Sequence, residues 1–226
     1  MRVMQTRMIE EFPTPEALAD AAAQAVAARL AEALATHGRA GLVATGGRSP
    51  GPVYDRLRTA PIDWNRVVVT LSDERCVPAD DPASNARLVR ERLLVGGARR
   101  AHLLSLWPPP EPAALEALLP FDAVMLGMGE DGHIASLIPG DPDLEAGLSG
   151  DEFVRPVAAG LGKPPVARIT LTLKALLHAR AIFLLIAGAT KRGVVERAMA
   201  GDDLPVARLL SRATAPVRIF WTPDGG

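Results

Sequence analysis

Phe121-Asp-Ala-Val-Met-Leu-Gly-Met-Gly-Glu-Asp-Gly-His-Ile-Ala-Ser136 is the stretch on which the fold turns. Its apolar residues from Phe121 to Leu126 read as a strand buried on both faces, which in an α/β protein means a central parallel strand. Gly127, Gly129 and Gly132 make the following turn permissive for unusual backbone angles, and Asp131 and His133 put titratable groups at its tip. Ligands of open α/β sheets sit outside the carboxyl ends of the strands, so His133 is expected to be a catalytic base. The alternative is a loop histidine that only hydrogen-bonds its neighbours. Gly127-x-Gly129-x-x-Gly132 also matches a dinucleotide fingerprint, but Glu130 and Asp131 would set two negative charges beside a pyrophosphate, and Pro139 leaves little room for the long helix that motif needs.

Working outward, three more strands end in the same way. Gly41–Thr45 runs into Gly46-Gly47-Arg48-Ser49-Pro50, a strand-to-helix turn whose backbone N–H groups can face an anion, with Arg48 and Ser49 as further donors. Val67–Leu71 runs into Ser72-Asp73-Glu74-Arg75. There Asp73 suits sugar hydroxyls and Arg75 a phosphate, although in isolation the two charges read better as a solvated surface pair. Ala181–Ala187 runs into Gly188-Ala-Thr-Lys191, which places an ammonium at the start of a helix. A parallel sheet would collect Arg48, Ser49, Asp73, Arg75, His133 and Lys191 at one edge: anchors for a phosphate, a carboxylate for hydroxyls and a base. The residues by themselves point to a phosphorylated polyol or sugar. Gly47-Arg48-Ser49-Pro50-Gly51 also matches the nucleophile elbow of serine hydrolases, but that elbow takes an oxyanion donor from the residue after the serine, and Pro50 has no N–H.

The rest of the chain supports one α/β domain over residues 1–226. Thr14-Pro15-Glu16 and Gly38 bracket a long helix whose stripe is Leu18, Ala22, Val26, Leu30 and Leu34. Ser84-Asn85 caps another helix, Leu103–Leu106 suggests a short strand, and Pro108–Pro112 is a stiff connector before a helix at Ala113–Leu119. Pro139–Gly150 reads as a patternless acidic loop, Arg168–Thr172 as a strand, Leu173–His178 as a short helix and Val217–Trp221 as an edge strand. A net charge of −1 with pI near 6.4 and no basic block gives no support to a nucleic-acid or membrane partner. Cys76 is the sole cysteine, Met1–Glu11 holds no signal-peptide core, and Ala181–Ala187 is too short to span a bilayer. A soluble cytoplasmic protein, monomeric or weakly homo-oligomeric, is the expectation.

Taken together, Gly46-Gly47-x-Ser49-Pro50, Ser72-Asp73-Glu74-Arg75 with Ser84-Asn85, Leu126-Gly-Met-Gly-x-Asp-Gly-His133-x-Ala-Ser136, Arg168-x-Thr-Leu-Thr and Gly188-x-x-Lys191 resemble the 6-phosphogluconolactonases, in order and over nearly the whole chain. The resemblance implies an open, mostly parallel twisted sheet with helices on both faces, Rossmann-like and shared with glucosamine-6-phosphate isomerase/deaminases. It implies hydrolysis of 6-phosphogluconolactone to 6-phosphogluconate without metal or cofactor. It also implies that His133 activates water, Asp131 orients it, Arg75 and Lys191 hold the phosphate, and Gly46 and Gly47 line the sugar. Asp73, Ser49 and Arg168 complete the expected substrate contacts. Arg48 departs from the serine of the Gly-Gly-Ser-Thr-Pro form and adds a cation. Two other functions compete. The deaminases of this fold carry a glutamate five residues after the histidine, where this chain has Ile138, and a non-catalytic sugar-phosphate sensor would bring a helix-turn-helix segment for which Met1–Pro13 has no room.

Overall fold

Apolar, β-branched runs produce a main sheet at the heart of this computed structural model, which describes residues 8–223. Residues 1–7, part of the segment without a signal-peptide core, lie outside the described residues. In chain order the strands are β1 (Ile9–Glu11), β2 (Ala40–Ala44), β3 (Val67–Leu71), β4 (Asp73–Arg75) and β5 (His102–Leu103), then β6 (Ala123–Gly127), β7 (Val154–Val157), β8 (Arg168–Leu171), β9 (Ile182–Ala187) and β10 (Val217–Thr222). The helices are α1 (Pro15–His37), α2 (Pro50–Leu57), α3 (Asn85–Arg92), α4 (Pro112–Glu116), α5 (Leu144–Ser149), α6 (Leu173–Leu177), α7 (Ala189–Ala200) and α8 (Pro205–Arg212).

The main sheet has the order β1-β10-β9-β6-β2-β3-β5, and every pairing in it is parallel. β6 is the central strand, as its sequence requires: Ala123 to Leu126 are fully buried. From β2 the chain moves outward to β3 and β5, whereas from β6 it moves the other way to β9 and β10. The order therefore reverses between β2 and β6, and the crevice at their carboxyl ends is where an open α/β sheet takes its ligand.

Helix α1 begins as its sequence dictates. The Thr14 hydroxyl accepts from the Ala17 N–H at 3.2 Å, Pro15 opens the first turn, and Gly38 at φ 71° closes it with an N–H to Leu34 O. Its buried stripe is Leu18, Ala22, Val26 and Leu30, but ends on Ala33 while Leu34 is only half-buried. Each step of four residues overshoots a full helical turn by about 40°, so a strict four-residue series walks off the core within a few turns.

Four expectations change. Val217–Trp221 is no edge strand, because β1 pairs with β10 on its outer side, Ile9 opposite Ile219. Pro139–Gly150 is not patternless: α5 forms within it, and the buried Asp141 carboxylate meets Arg155 Nη1 at 2.9 Å. The strand expected at Leu103–Leu106 shrinks to His102–Leu103. Arg168–Leu171 belongs to a second, antiparallel sheet of order β4-β8-β7, which carries the segment after β3.

Candidate active site

The loop after β6 is built to bring one carboxylate onto one imidazole. Met128 and Ile134 bridge across it, the Gly129 N–H donates to His133 O at 3.0 Å, and Gly132, at φ 81°, donates to Gly129 O at 3.1 Å. At Gly129 a β-carbon would lie 2.2 Å from the His133 ring and 2.5 Å from Asp131 Oδ1, so only glycine lets the chain pass this closely. Asp131 Oδ1 sits 2.6 Å from His133 Nδ1 and also accepts the His133 backbone N–H at 3.2 Å. The hydrogen bond to His133 holds the Asp131 carboxyl below the usual carboxylate range, more than burial raises it. An ionised carboxylate only accepts, so the neutral imidazole carries its proton on Nδ1 and keeps the Nε2 lone pair for other work. The ring is 31% exposed: neither shut into the core nor lying loose.

Across the switch point, the turn after β2 is locked from below. The Tyr54 hydroxyl accepts the Thr45 N–H at 2.8 Å and donates to Thr45 O at 2.7 Å. The Asn85 amide packs so closely on Gly46 that a β-carbon there would lie 1.9 Å from Asn85 Oδ1. Gly47 takes φ 97°. Ser49 precedes α2 without capping it, so its hydroxyl is not consumed by the helix, and Arg48 is exposed.

The Ser72–Arg75 segment departs most from its sequence reading. Asp73 is 5% exposed and accepts from Ser136 Oγ at 2.6 Å, Ser72 Oγ at 3.0 Å and Asn85 Nδ2 at 3.4 Å, with Arg168 Nη1 at 3.8 Å. It is neither a solvated partner of Arg75 nor open to a sugar. Arg168, equally enclosed, donates to Ser136 Oγ and to Pro164 O. These two expected substrate contacts are taken up by protein atoms. Burial lowers the Arg168 pKa; the Asp73 charge opposes that shift and Arg75 adds to it. Glu74, buried, accepts the N–H groups of Asn85 and Ala86 at 2.7 Å each and so neutralises the start of α3. Arg75 alone of the four stays half-buried. It faces Arg168 across the β4–β8 ladder, its Nη1 reaches Ala83 O, and its Nε has no partner among the described residues. The two guanidinium groups repel, the Asp73 carboxylate offsets this on the Arg168 side, and an anion at Arg75 would offset it on the other.

Lys191 lies in the first turn of α7, which Gly188 enters at φ 85°. Burial pushes its ammonium below the ordinary lysine range, the Glu130 charge opposes that shift, and Arg48 adds to it. Arg48, Glu130 and Lys191 thus share one electrostatic neighbourhood around the crevice. Sequence reasoning passed over Asn85, Ser136 and Thr170 as site-builders, although all three stand inside the quoted motifs; a polar side chain in such company was the available signal. The N–H groups of Gly129 and Gly132 are spent within the loop and are not free to face a developing oxyanion. Ile138, five residues after His133, is buried and apolar. Among the described residues no group of three or more His, Cys, Asp or Glu side chains is placed to hold a metal ion, and no helix is long and apolar enough to cross a membrane.

Residues 13–221 match the profile of the family described as glucosamine-6-phosphate isomerases/6-phosphogluconolactonase. The chain is 43% identical over 227 aligned positions to a 6-phosphogluconolactonase of Caulobacter vibrioides, covering 94% of this chain and 96% of that one. A crystal structure of a 6-phosphogluconolactonase from Shewanella baltica superposes with a TM-score of 0.88 at 36% identity, over 97% of this chain and 99% of that chain. A monomeric glucosamine-6-phosphate deaminase shares the fold, with a TM-score of 0.76 at 20% identity over 94% and 96% of the two chains.

Proposed function

The chain belongs to the glucosamine-6-phosphate isomerase/6-phosphogluconolactonase family, and from that premise we infer a lactonase: it hydrolyses 6-phospho-D-glucono-1,5-lactone to 6-phospho-D-gluconate. We propose that His133 is the base. Its Nε2 takes a proton from water as the water oxygen bonds to the lactone carbonyl carbon, leaving a tetrahedral oxyanion and an imidazolium that Asp131 holds through Nδ1–H. Collapse of the oxyanion breaks the bond to the ring oxygen, and Nε2–H returns the proton to that oxygen. The acid formed then loses its own proton to solvent. No covalent intermediate is needed.

Arg75 and Lys191 are proposed to hold the phosphate, with Arg48 adding charge at the rim. Gly46, Gly47 and Ser49 line the sugar, and the backbone N–H groups of their turn face the oxyanion in place of those spent in the Gly127–Gly132 loop. Asp73 and Arg168 are assigned to positioning rather than contact. The setting proposed is a cytoplasmic enzyme, monomeric or weakly homo-oligomeric, acting as a single domain.

The observation that carries these roles is the 2.6 Å contact of His133 Nδ1 with Asp131 at the carboxyl end of the central strand, on a ring still open to solvent. Acid release from freshly made 6-phosphogluconolactone, corrected for spontaneous opening, tests them. His133→Asn is expected to lower kcat by roughly 10²- to 10⁴-fold. A variant as fast as the wild type would remove His133 from the chemistry, and ammonia release from glucosamine 6-phosphate would favour the deaminase.

A further inference from the structure

Ser136 is fully enclosed three residues beyond the base, and both its hydroxyl and its N–H are bonded to neighbouring elements. Its Oγ donates to Asp73 Oδ2 at 2.6 Å and accepts from Arg168 Nη1 at 3.3 Å, while its N–H donates to Thr170 Oγ1 at 3.0 Å. Those partners sit on β4 and β8, where Asp73 faces Thr170 and Arg75 faces Arg168. One serine therefore ties the loop of the base to the strand pair that carries the phosphate anchor Arg75. The bonds within the loop, from Gly129 to His133 and from Gly132 to Gly129, fix the shape of the turn but make no link to β4.

Between His133 and this knot lies Ala135 at φ 50°, the one non-glycine residue with positive φ among those described. An alanine in that region is strained, and such strain persists only where the surroundings over-determine it. Ala135 lies in a turn closed by the Leu137 N–H to Ile134 O at 3.0 Å, and the bonds of Ser136 are what tie that turn to β4 and β8.

We propose that Ser136 is a positioning residue: its bonds to Asp73, Arg168 and Thr170 keep Ala135 left-handed and so hold the His133 imidazole in register with an ester whose phosphate is fixed from β4. The proposal rests on the lactonase assignment above. It separates orientation from binding, since Arg75 and Lys191 are untouched when the serine hydroxyl is removed.

Steady-state kinetics on 6-phosphogluconolactone test it. Ser136→Ala is expected to lower kcat roughly tenfold, the loss that release of one strained residue can cause, with KM held within about twofold. Adding Ala135→Gly to that variant should restore part of kcat, because glycine keeps a positive φ without strain. Thr170→Val, which removes the acceptor of the Ser136 N–H, should reproduce the kcat loss with KM unchanged, and it decides the matter if Ser136→Ala does not fold. A serine that only fills space would lower the unfolding midpoint without this split, and Ala135→Gly would restore nothing. Wild-type kcat in a folded Ser136→Ala protein, or a loss that Ala135→Gly leaves intact, overturns the proposal. A wild-type chain without lactonase activity would instead overturn the function it rests on.

Discussion

Asp131 and Asp73 both follow a strand of the main parallel sheet, and in the sequence they look like equivalent carboxylates at the mouth of a cleft. The fold treats them differently. The Asp131 side chain is 47% exposed and has His133 as its ring partner, whereas the Asp73 side chain is 7% exposed and surrounded by two hydroxyls, an amide and a guanidinium. The small β4-β8-β7 sheet makes the difference, because it folds a second polar strand over the first. The partners decide the role: a carboxylate bonded to an imidazole tunes a base, and one whose oxygens are taken by Ser136, Ser72 and Asn85 holds those groups in place.

The comparison is broken most easily at its open end. Asp131→Asn is expected to lower kcat by roughly 10²- to 10⁴-fold, since an amide can donate to Nδ1 and favour the wrong tautomer, while the unfolding free energy moves by only about 0.5 kcal/mol. Parallel kinetics and urea denaturation would read both. Asp73→Ala should act chiefly on stability, with a loss of about 3–5 kcal/mol as Arg168 is left buried without its carboxylate, and should lower kcat only about as far as Ser136→Ala does, since it removes the acceptor of the Ser136 hydroxyl. If Asp73→Ala proved as stable as wild type but inactive, the enclosed carboxylate would have to be returned to the chemistry.

Gly129→Ala probes how tightly the open pair is fitted. A β-carbon 2.2 Å from the imidazole must push ring and carboxylate apart, and roughly a 10- to 100-fold loss of kcat is expected, with about 1–3 kcal/mol of destabilisation. The smallest effect is in pH. Burial places the Lys191 ammonium below the ordinary lysine range. The cost of keeping it charged is therefore full below its folded pKa, and is relieved as pH rises from there towards the unfolded value. Phosphate binding needs the charged form, so KM should climb over that same alkaline window, and Lys191→Arg should move the limb to higher pH. A limb that stays put would take Lys191 out of phosphate binding. Asp131 has the opposite sign: its depressed pKa contributes stability above the unfolded carboxylate range that is lost as pH falls through the folded value.

The strands of the main sheet were legible because Val67–Leu71, Phe121–Leu126 and Ala181–Ala187 are runs that only a doubly covered sheet can bury. The edge they share was legible because each run stops at glycine or charge. The small sheet was not. Asp73-Glu74-Arg75 looks like solvated loop until its partners are known, since nothing local shows that Ser136, Asn85 and Arg168 arrive from distant segments to satisfy it. Val154–Val157 carries a proline and offers too few residues for periodicity to register. Strand β1 went unread because its place is set by β10, at the far end of the chain, whereas α8 packs on the neighbouring α7 and carried its own signals, Pro205 in the first turn and the apolar face of Val206, Leu209 and Leu210. At the site, Asp131 and His133 are two residues apart and their pairing follows from local geometry, whereas the enclosure of Asp73 and Arg168 depends on a pairing across nearly a hundred residues.

Strand β10 lies between β9 and β1, so the sheet's outermost member hangs on its latest-made neighbour. During synthesis Ile9–Glu11 leaves the ribosome early and finds no place to dock until Val217–Thr222 has followed it out. The Glu10 carboxylate that clasps Arg218 through two hydrogen bonds waits equally long. Closure of this flank is a late event of high sequence separation, a slow step by topology alone, and until then the unfinished chain offers an open β9 flank to any passing strand.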